Sequence, residues 1–382
     1  MKILFVSMPS VHVIRWIENL KDTALELFWF DVLGKGKLET MSSVTQLTDW
    51  KKRKIPYIKG EHFVKKKLPS LYDTIQPMLE VTANERLEKI IRAIQPDVIH
   101  SFEMQSCSYP ILKTMNAFPN IKWIYSCWGS DLYYYQHLKY HKPKIQTVLQ
   151  RINFLHTDCL RDYEIAKNLG FTGKHVGVIP GGTGYKLSEL QPFKKPLSDR
   201  KIILVKGYQH LFGRGLIVVK ALHQLIKDLS DYEVVIFGAH QSVIDYISIN
   251  NLPFKVSDRH GLTHDQLLEL MGKSQVYIGN NISDGMPNTL LEAIAMGAFP
   301  IQSNPGGVTA EIICHGENGF LISDSEDIDE IKELIRQALK TPERLENSLK
   351  LNEEIAKQYL DYYVNRQKVI ALYQNIIGLA CV

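Results

Sequence analysis

The sequence has few cysteines and no long apolar run. Its five cysteines are odd in number and lack metal-type spacing, which predicts reduced thiols rather than a disulfide framework. They are Cys107, Cys127, Cys159, Cys314 and Cys381. No stretch approaches the roughly 20 apolar residues that a membrane span needs, and the apolar run after Met1 is too short for a signal peptide. We therefore expect a cytoplasmic protein.

Internal repeats, low-complexity tracts and a strong charge imbalance are also missing. The net charge is only +4, and hydrophobic and charged residues make up 45% and 23% of the chain, as in ordinary globular proteins. A chain of 382 residues is too long for one core and predicts two domains.

Short apolar runs alternate with helical patterns, which favours parallel α/β structure. A Pro- and Lys-containing loop at 191–200 interrupts this alternation, so two doubly wound units are expected with a break near residue 195. The predicted strands are 3–7, 25–32, 97–101, 123–127, 176–179, 201–205, 233–238, 276–278 and 299–302. The predicted helices are 11–20, 84–94, 162–169, 216–229, 265–271, the segment around Leu290, and 327–339. Ligands of such sheets bind outside the carboxyl ends of the strands.

The segment SDGMPNTLLEAIAMG (283–297) carries the clearest functional signal. A polar loop leads into a helix with apolar spacing, and Gly297 suits the helix C-terminus. Asp284 lies in the loop and Glu292 inside the helix, eight positions apart. The helix N-terminus can bind phosphate oxygens, and carboxylates can accept hydrogen bonds from sugar hydroxyls. The segment thus predicts a site for an anionic, hydroxyl-rich ligand.

This segment and several others, in order, resemble the GT-B glycosyltransferases, in particular the retaining family-4 (group 1) enzymes. Where that family has E-x7-E, this chain has Asp284-x7-Glu292. SNPGGVTAEII and HGENGFLI are similar to the family's Gly-Gly loop, Glu-bearing helix start and Asn-Gly-Phe-Leu strand. VHVIRWIENL, PDVIHSF and YSCWGSDL resemble its first helix, a strand ending in a His-containing loop, and a Trp-Gly-Ser-Asp variant.

The resemblance covers nearly the whole chain and implies two Rossmann-like domains facing a central cleft. Residues 1–195 would bind the acceptor and 196–357 the nucleotide-sugar donor. The C-terminal helix, about 358–382, would pack back on the first domain.

The resemblance also implies roles for the donor-site residues. Glu292 would bind the ribose, and Asp284 the hydroxyls of the donor sugar. Because Asp is one methylene shorter than Glu, the sugar cannot be inferred from relatives. Asp284 as a helix cap and Glu292 on a solvated helix face are the structural alternatives. The other implied donor contacts are Gly285, Met286, Pro287, Asn288, Thr289, Leu290 and Glu311, of which Glu311 is alternatively the N-terminal acid of its own helix.

The family usually places an Arg and a Lys where they neutralise the leaving diphosphate. In VKGYQHLFGRGL, Arg214 fits the second position, and a guanidinium can bind phosphate oxygens bidentately. The first position holds Tyr208, with Lys206 two residues earlier. Whether Lys206 replaces the missing arginine or is a solvated strand-end lysine is left open.

Some relatives have a His in the first domain where this chain has Trp128. Trp128 either stacks on a sugar or acceptor or is an aromatic plug. Asp131 is the best carboxylate of that loop for an acceptor hydroxyl, with Glu103 and His100 as further candidates, although a strand-end His is more often structural.

The resemblance implies that the leaving phosphate helps to deprotonate the attacking hydroxyl, so no protein nucleophile is needed. Consistent with this, the sequence has no Ser/His/Asp or Cys/His arrangement. GT-B enzymes generally need no metal, and neither a metal nor another cofactor is expected. The one Asp-x-Asp, at 327–329, is typical of a capped acidic helix start.

Eight basic residues and one acid lie between Lys51 and Lys67, with aromatic residues interspersed. Such a stretch is either a solvated loop or a peripheral contact with anionic lipid at the inner face of the plasma membrane. A nucleic-acid partner is not expected, since the patch is short and no nucleic-acid motif accompanies it.

Together these features predict a retaining glycosyltransferase. It would transfer a hexosyl or N-acetylhexosaminyl group from a nucleotide sugar, UDP-sugar in our prediction, to a glycan or lipid-linked acceptor in bacterial surface polysaccharide (lipopolysaccharide) synthesis. The alternatives are a nucleotide-sugar epimerase of the same fold and a catalytically impaired sugar-nucleotide binding protein.

Overall fold

The computed structural model describes residues 1–378, without the side chains of Pro342 and Ile377. The chain divides into two compact units, one of residues 1–157 with 163–177, and one of residues 158–162 with the chain from 178 onward. The predicted domain ranges and the predicted packing of the last helix on the first domain stay predictions. Cys381 and the end of that helix, 379–382, lie outside the described residues.

The first unit is built on a seven-stranded sheet. Its strands are β1 (Lys2–Ser7), β2 (Glu26–Asp31), β3 (Thr45–Leu47), β4 (Val98–Phe102), β5 (Lys122–Ser126), β6 (Phe154–Thr157) and β7 (Lys174–Val178). They lie in the order β3-β2-β1-β4-β5-β6-β7, and the neighbouring strands from β3 to β6 pair in parallel. β4 is buried along its whole length, as expected for a central strand of a covered parallel sheet.

The helices of this unit lie between the strands, singly or in groups. They are α1 (Val11–Glu18), α2 (Glu61–Lys67), α3 (Pro69–Leu79), α4 (Ala83–Ile94), α5 (Leu112–Ala117), α6 (Ser130–Tyr133), α7 (Lys142–Arg151) and α8 (Leu160–Asn168), of which residues 160–162 belong to the second unit. α4 begins with a capping box, in which Thr82 and Glu85 each accept from the other's backbone amide. Its apolar face joins the hydrophobic core that the sheet forms on that side, through Leu87, Ile90 and Ile91.

The second unit has a six-stranded parallel sheet. Its strands are β8 (Ile202–Lys206), β9 (Glu233–Ala239), β10 (Lys255–Asp258), β11 (Ser274–Gly279), β12 (Phe299–Ser303) and β13 (Phe320–Ile322). Its helices are α9 (Leu187–Leu190), α10 (Gly215–Gln224), α11 (Gln241–Ile249), α12 (His264–Lys273), α13 (Asn288–Met296), α14 (Ile328–Lys340), α15 (Pro342–Ile355) and α16 (Tyr362–Gly378). The order β10-β9-β8-β11-β12-β13 reverses direction between β8 and β11. In open α/β sheets this switch point is where ligands bind.

These two sheets confirm the predicted α/β class with two Rossmann-like, doubly wound units. Among residues 1–378, no helix has the length and apolar character that crossing a membrane requires. The four cysteines within that range form no disulfide.

Candidate functional site

The loops after β8 and β11 meet at the switch point of the second sheet. The amide of Arg214 donates to the carbonyl of Asn280 at 2.8 Å, and the amide of Ile282 donates to the carbonyl of Phe212 at 2.9 Å. These backbone bonds join the glycine-containing loop 207–215 to the loop 280–287. The two segments that were predicted to bind the donor are therefore joined to each other by main-chain hydrogen bonds.

Helix α13 presents its N-terminus at this point. Pro287 occupies the N-cap and its side chain makes no capping hydrogen bond. The helix is buried from Leu290 to Met296, and it ends at Gly297 in the left-handed conformation, with φ of 78°. The hydroxyl of Thr289 accepts from that of Tyr277, at 2.8 Å, which fixes the first turn against β11. The positive end of the helix dipole is thus held rigidly at the sheet edge without a side-chain cap.

Glu292 is only 5% exposed although it carries a carboxylate. Its Oε1 lies 2.8 Å from Nε2 of His264, the first residue of α12, whose side chain is 43% exposed. α12 begins with a capping box between Thr263 and Gln266, which fixes the position of His264. His264 lies outside the sequence motifs that indicated the site. The T-x-x-Q capping signal would have marked it as the first residue of a helix, but not as the partner of Glu292.

Asp284 lies in the loop before α13. Its Oδ2 accepts from the side-chain amide of Asn281 at 2.9 Å, and its Oδ1 from the amide of Gly285 at 3.0 Å. Desolvation raises the pKa of the Asp284 carboxyl, and the nearby charges of Lys206 and Arg161 oppose that rise. Lys206 is therefore close enough to Asp284 to act on it electrostatically.

Arg161 is a second residue that the sequence analysis did not single out. Its guanidinium pairs with the fully buried Asp162 at 2.7 Å and donates to the carbonyls of Asp284, at 2.6 Å, and Pro305, at 2.7 Å. It thereby holds the loop after β11 against the loop after β12.

Gly285 packs against Asp158. A Cβ on Gly285 would lie 2.5 Å from Oδ2 of Asp158, and that same oxygen accepts from the amide of Met286 at 3.2 Å. Burial and the neighbouring Asp162 raise the pKa of Asp158 well above its usual range. The glycine is therefore required for the close approach of the loop to a buried carboxyl group.

Lys206, at the end of β8, and Arg214, in loop 207–215, have different surroundings. The ammonium group of Lys206 lies 4.7 Å from the ring centre of Tyr208. The guanidinium of Arg214 forms an ion pair with Glu326 and donates to the carbonyls of His210, at 3.2 Å, and Gly213, at 3.0 Å. In this conformation the Arg214 side chain bonds to the backbone of its own loop. The ion pair with Glu326 must break before Arg214 can bind a phosphate.

Glu311 lies after the Gly306-Gly307 turn and accepts from the backbone amides of Leu160, at 2.7 Å, and Arg161, at 2.9 Å. In this structure its carboxylate therefore caps the first turn of α8.

Asp131 belongs to the first unit and is 3% exposed. It accepts from the hydroxyl of Tyr125, at 2.6 Å, the thiol of Cys127, at 3.2 Å, and the amides of Met104, at 3.1 Å, and Trp128, at 2.9 Å. Burial raises its pKa, and these hydrogen bonds oppose that rise. Asp131 thus organises the loop that carries Trp128.

Glu103, beside Asp131, has a strained backbone with φ of 68° and accepts from the amides of Gln105, at 2.9 Å, and Ser106, at 2.6 Å. Burial and the charge of Asp131 raise its pKa to about 7. A carboxyl with this pKa can exchange a proton near neutral pH.

The described residues contain one cluster with the composition of a metal site, formed by Asp158, Cys159 and Asp162. Burial raises the pKa values of Asp158 and Cys159 well above their usual ranges, and Asp162 is paired with Arg161. Because burial disfavours the charged forms of Asp158 and Cys159 and the carboxylate of Asp162 is already paired, the cluster is a poor ligand set for a cation.

Comparison with solved structures gives neighbours that span both units. Sucrose-phosphate synthase from Thermosynechococcus elongatus superposes with a TM-score of 0.71 at 13% identity, covering 99% of this chain and 100% of the neighbour. A glycosyltransferase from Rickettsia africae has a TM-score of 0.67 at 16% identity, with 98% of each chain covered. HepE from Anabaena, in complex with UDP and glucose, has a TM-score of 0.67 at 14% identity, with 98% and 100% covered. At this level of identity the likeness establishes the fold, which is GT-B.

Sequence families give the same result. The family described as "Glycosyl transferases group 1" matches residues 191–358, and "Glycosyl transferase 4-like" matches residues 2–160. A search of curated protein sequences gives no match. The two family matches cover most of the chain in the expected order, and the chain belongs to the group 1 glycosyltransferases of GT-B fold.

Proposed function

We propose that the protein is a retaining glycosyltransferase that transfers a hexosyl or N-acetylhexosaminyl group from a UDP-sugar to a hydroxyl of a glycan or lipid-linked acceptor. The observation that carries the proposal is the placement of Asp284 and Glu292 on either side of the N-terminus of α13, at the switch point of the second sheet. The helix N-terminus suits the diphosphate, and the two carboxylates suit the hydroxyls of sugar and ribose.

The choice of UDP is supported by the structural neighbours. HepE from Anabaena has been solved with UDP, with UDP and glucose, and with UDP-glucose, and the pneumococcal O-GlcNAc transferase GtfA with UDP and GlcNAc. Because those chains are at most 17% identical to this one, the sugar itself must be measured.

In the proposed reaction, the C1–O bond to the diphosphate breaks and the acceptor oxygen bonds to C1 on the same face. The departing phosphate oxygen takes the proton of the acceptor hydroxyl. The protein positions both substrates and stabilises the charge of the diphosphate through Lys206, Arg214 and the N-terminus of α13. No metal is required in this scheme, and we expect transfer to be unchanged when EDTA is added.

A panel of UDP- and GDP-sugars, each incubated with and without acceptor glycans, tests the proposal. Release of UDP that depends on acceptor, with retained configuration in the product by NMR, is the expected result. Interconversion of the sugars without acceptor would instead assign an epimerase. Donor binding without turnover against a broad acceptor panel would assign a binding protein.

A lipid-linked acceptor would require the enzyme to work at a membrane surface, and the first unit has a suitable surface. Around α2 and α3, large apolar side chains are exposed, including Tyr57 at 81%, Phe63 at 61% and Met78 at 72%. Two of the eight basic residues between 51 and 67 are paired, Arg53 with Glu61 and Lys54 with Glu85. The six that have no carboxylate within ion-pair distance in the described chain are Lys51, Lys52, Lys59, Lys65, Lys66 and Lys67.

Exposed lysines beside exposed aromatic and apolar side chains suit an anionic bilayer, where each basic residue contributes about 1 kcal/mol. We therefore propose peripheral binding to the inner face of the plasma membrane through this surface. Sedimentation with phosphatidylglycerol-containing vesicles should bring down the protein, and salt should weaken binding. A variant with Lys65, Lys66 and Lys67 changed to Gln should bind less. Equal binding to neutral phosphatidylcholine vesicles would contradict the proposal.

A further inference from the structure

Tyr208 occupies the position at which the related family usually has an arginine. Its ring packs closely against the surrounding backbone. Gly238, at the end of β9, has φ of 63°, and a Cβ there would lie 2.5 Å from Cε1 of Tyr208. Gly213 likewise packs directly on the backbone of Tyr208. Because both glycines lack a Cβ, Tyr208 can pack directly against them. This close packing fixes the position of its ring at the sheet edge.

Two cations from different strand ends meet at this ring. The ammonium group of Lys206, the last residue of β8, is 4.7 Å from the ring centre, and the guanidinium carbon of Arg259, which follows β10, is 5.9 Å from it. β8, β9 and β10 are parallel neighbours, so their carboxyl ends lie at one edge. Cations at these distances from an aromatic face are attracted to it.

The two cations of the cluster make no ion pair with a carboxylate of the described chain. Within residues 1–378, neither Lys206 nor Arg259 has a carboxylate within ion-pair distance, whereas Arg214 is paired with Glu326. The rings of His210 and His240 also lie beside Tyr208, at 5.8 Å and 5.7 Å. Desolvation lowers the pKa of His210, and His240, Lys206, Arg259 and Arg214 lower it further. A place where cations accumulate enough to lower the pKa of a neighbouring histidine is suited to an anionic ligand.

We propose that Arg259, together with Lys206, supplies the diphosphate-binding charge that an arginine at position 208 would provide, with the Tyr208 ring holding both cations. The ligand is the diphosphate group of the donor, so the assignment rests on the proposed function. It adds a diphosphate-binding residue, Arg259, from a strand end that the family motif does not include.

The test compares UDP, inorganic pyrophosphate and uridine by isothermal titration calorimetry. Arg259→Gln should weaken UDP and pyrophosphate binding about tenfold or more, as expected for the loss of a charge-assisted hydrogen bond, and should leave uridine binding unchanged. Arg259→Lys should retain most of the affinity. Tyr208→Phe should bind as the wild type does, whereas Tyr208→Leu, which removes the aromatic face, should bind less tightly.

Lys255→Gln is the matched control, because Lys255 lies on β10, the strand that Arg259 follows, is 70% exposed and pairs with Glu233. It should bind all three probes as the wild type does. Normal pyrophosphate and UDP binding by Arg259→Gln, or an equal loss for uridine, would overturn the assignment of Arg259. A wild type that binds pyrophosphate through Arg259 but no nucleoside diphosphate would overturn the proposed function alone. A wild type that binds neither pyrophosphate nor UDP would overturn both.

Discussion

Nε2 of His264 lies 2.8 Å from Oε1 of Glu292, so a half-exposed histidine at the start of one helix fixes a buried carboxylate on the next. This contact leaves the other carboxylate oxygen to accept from a ligand. Because Glu292 is enclosed by an otherwise apolar helix, its orientation depends on the few polar groups that reach it.

We predict that His264→Ala weakens UDP binding about tenfold, since losing a partner of a buried carboxylate costs about 1–3 kcal/mol. His264→Gln, which keeps a donor, should lose less. The measurement is the dissociation constant of UDP by calorimetry. His260→Ala, at an exposed histidine in the loop before α12, is the control and should have no effect. Wild-type affinity in His264→Ala would show that Glu292 is oriented without it.

We predict that Glu292→Gln lowers transfer by orders of magnitude without unfolding the protein. If Glu292 binds the ribose, 2′,3′-dideoxy-UDP should bind the wild type more weakly than UDP does, and the difference should shrink in the variant. Steady-state kinetics and calorimetry with both nucleotides measure this. An undiminished difference between the two nucleotides in Glu292→Gln would remove the ribose role.

We predict that Arg214→Ala lowers the transfer rate about 100-fold, as expected for a lost charge-stabilising donor. Glu326→Gln should instead raise UDP affinity about fivefold or less, because it removes the exposed carboxylate that competes for Arg214. Melting curves should verify that both variants are folded. Near-normal transfer by Arg214→Ala would exclude this arginine from the site.

We predict that buried, neutral His100 contributes stability to the first unit that is lost as the pH falls below about 6.5, the ordinary pKa of histidine. The Glu103 carboxyl of the same unit, whose pKa is raised to about 7, acts in the opposite direction, so the contribution is measured against a His100 variant. His100 is fully buried, its Nε2 lies 2.7 Å from the hydroxyl of Ser126, and burial lowers its pKa well below the usual value. The folded state therefore favours neutral His100. Its contribution is fully present above the unfolded pKa and is lost as the pH falls from there toward the folded pKa. Desolvation lowers the pKa values of His141 and His175 as well, which adds in the same direction.

Thermal melting between pH 8 and pH 5 measures this dependence. Between pH 8 and pH 5, His100→Gln should lose less stability than the wild type does, and the exposed control His62→Gln should follow the wild type. If His100→Gln and the wild type show the same dependence of melting temperature on pH, the prediction fails.

We predict that Gly285→Ala destabilises the second unit by about 1–3 kcal/mol, the usual range for forcing extra volume into a packed site, and weakens UDP binding. The added Cβ would contact Oδ2 of Asp158. Asp158→Ala in the same chain should recover part of both losses, because it removes the contacting carboxyl group. Differential scanning calorimetry of the single and double variants measures the coupling, and strict additivity would contradict the contact.

The helices and strands around the site could be predicted where their own residues show a clear sequence pattern. β8 and β12 are short apolar runs buried on both faces, and the predicted strands 201–205 and 299–302 match them within one residue at each end. The helix around Leu290 could be placed because Pro287 and Gly297 mark its ends. By contrast, β6 and β3 were missed, since FLHT and TQL contain too few apolar residues to indicate a strand.

The partners within the site could not be predicted in the same way. His264 and Glu292 are 28 positions apart, and nothing in either neighbourhood marks the other. Arg259 follows β10, a mostly exposed strand that the sequence pattern did not reveal. Such residues are brought together by the register of parallel strands, which a local pattern does not encode.

The backbone bonds between the loops after β8 and β11 have a kinetic consequence. Because Arg214 and Phe212 are bonded to Asn280 and Ile282 through main-chain atoms, the backbones of both loops are in place before a ligand arrives, and only the Arg214 side chain has to leave Glu326. Nucleotide binding then requires little ordering of these loops, so little binding free energy is lost to their conformational entropy. Association with this unit should accordingly follow a single exponential, with a rate that rises linearly with nucleotide concentration.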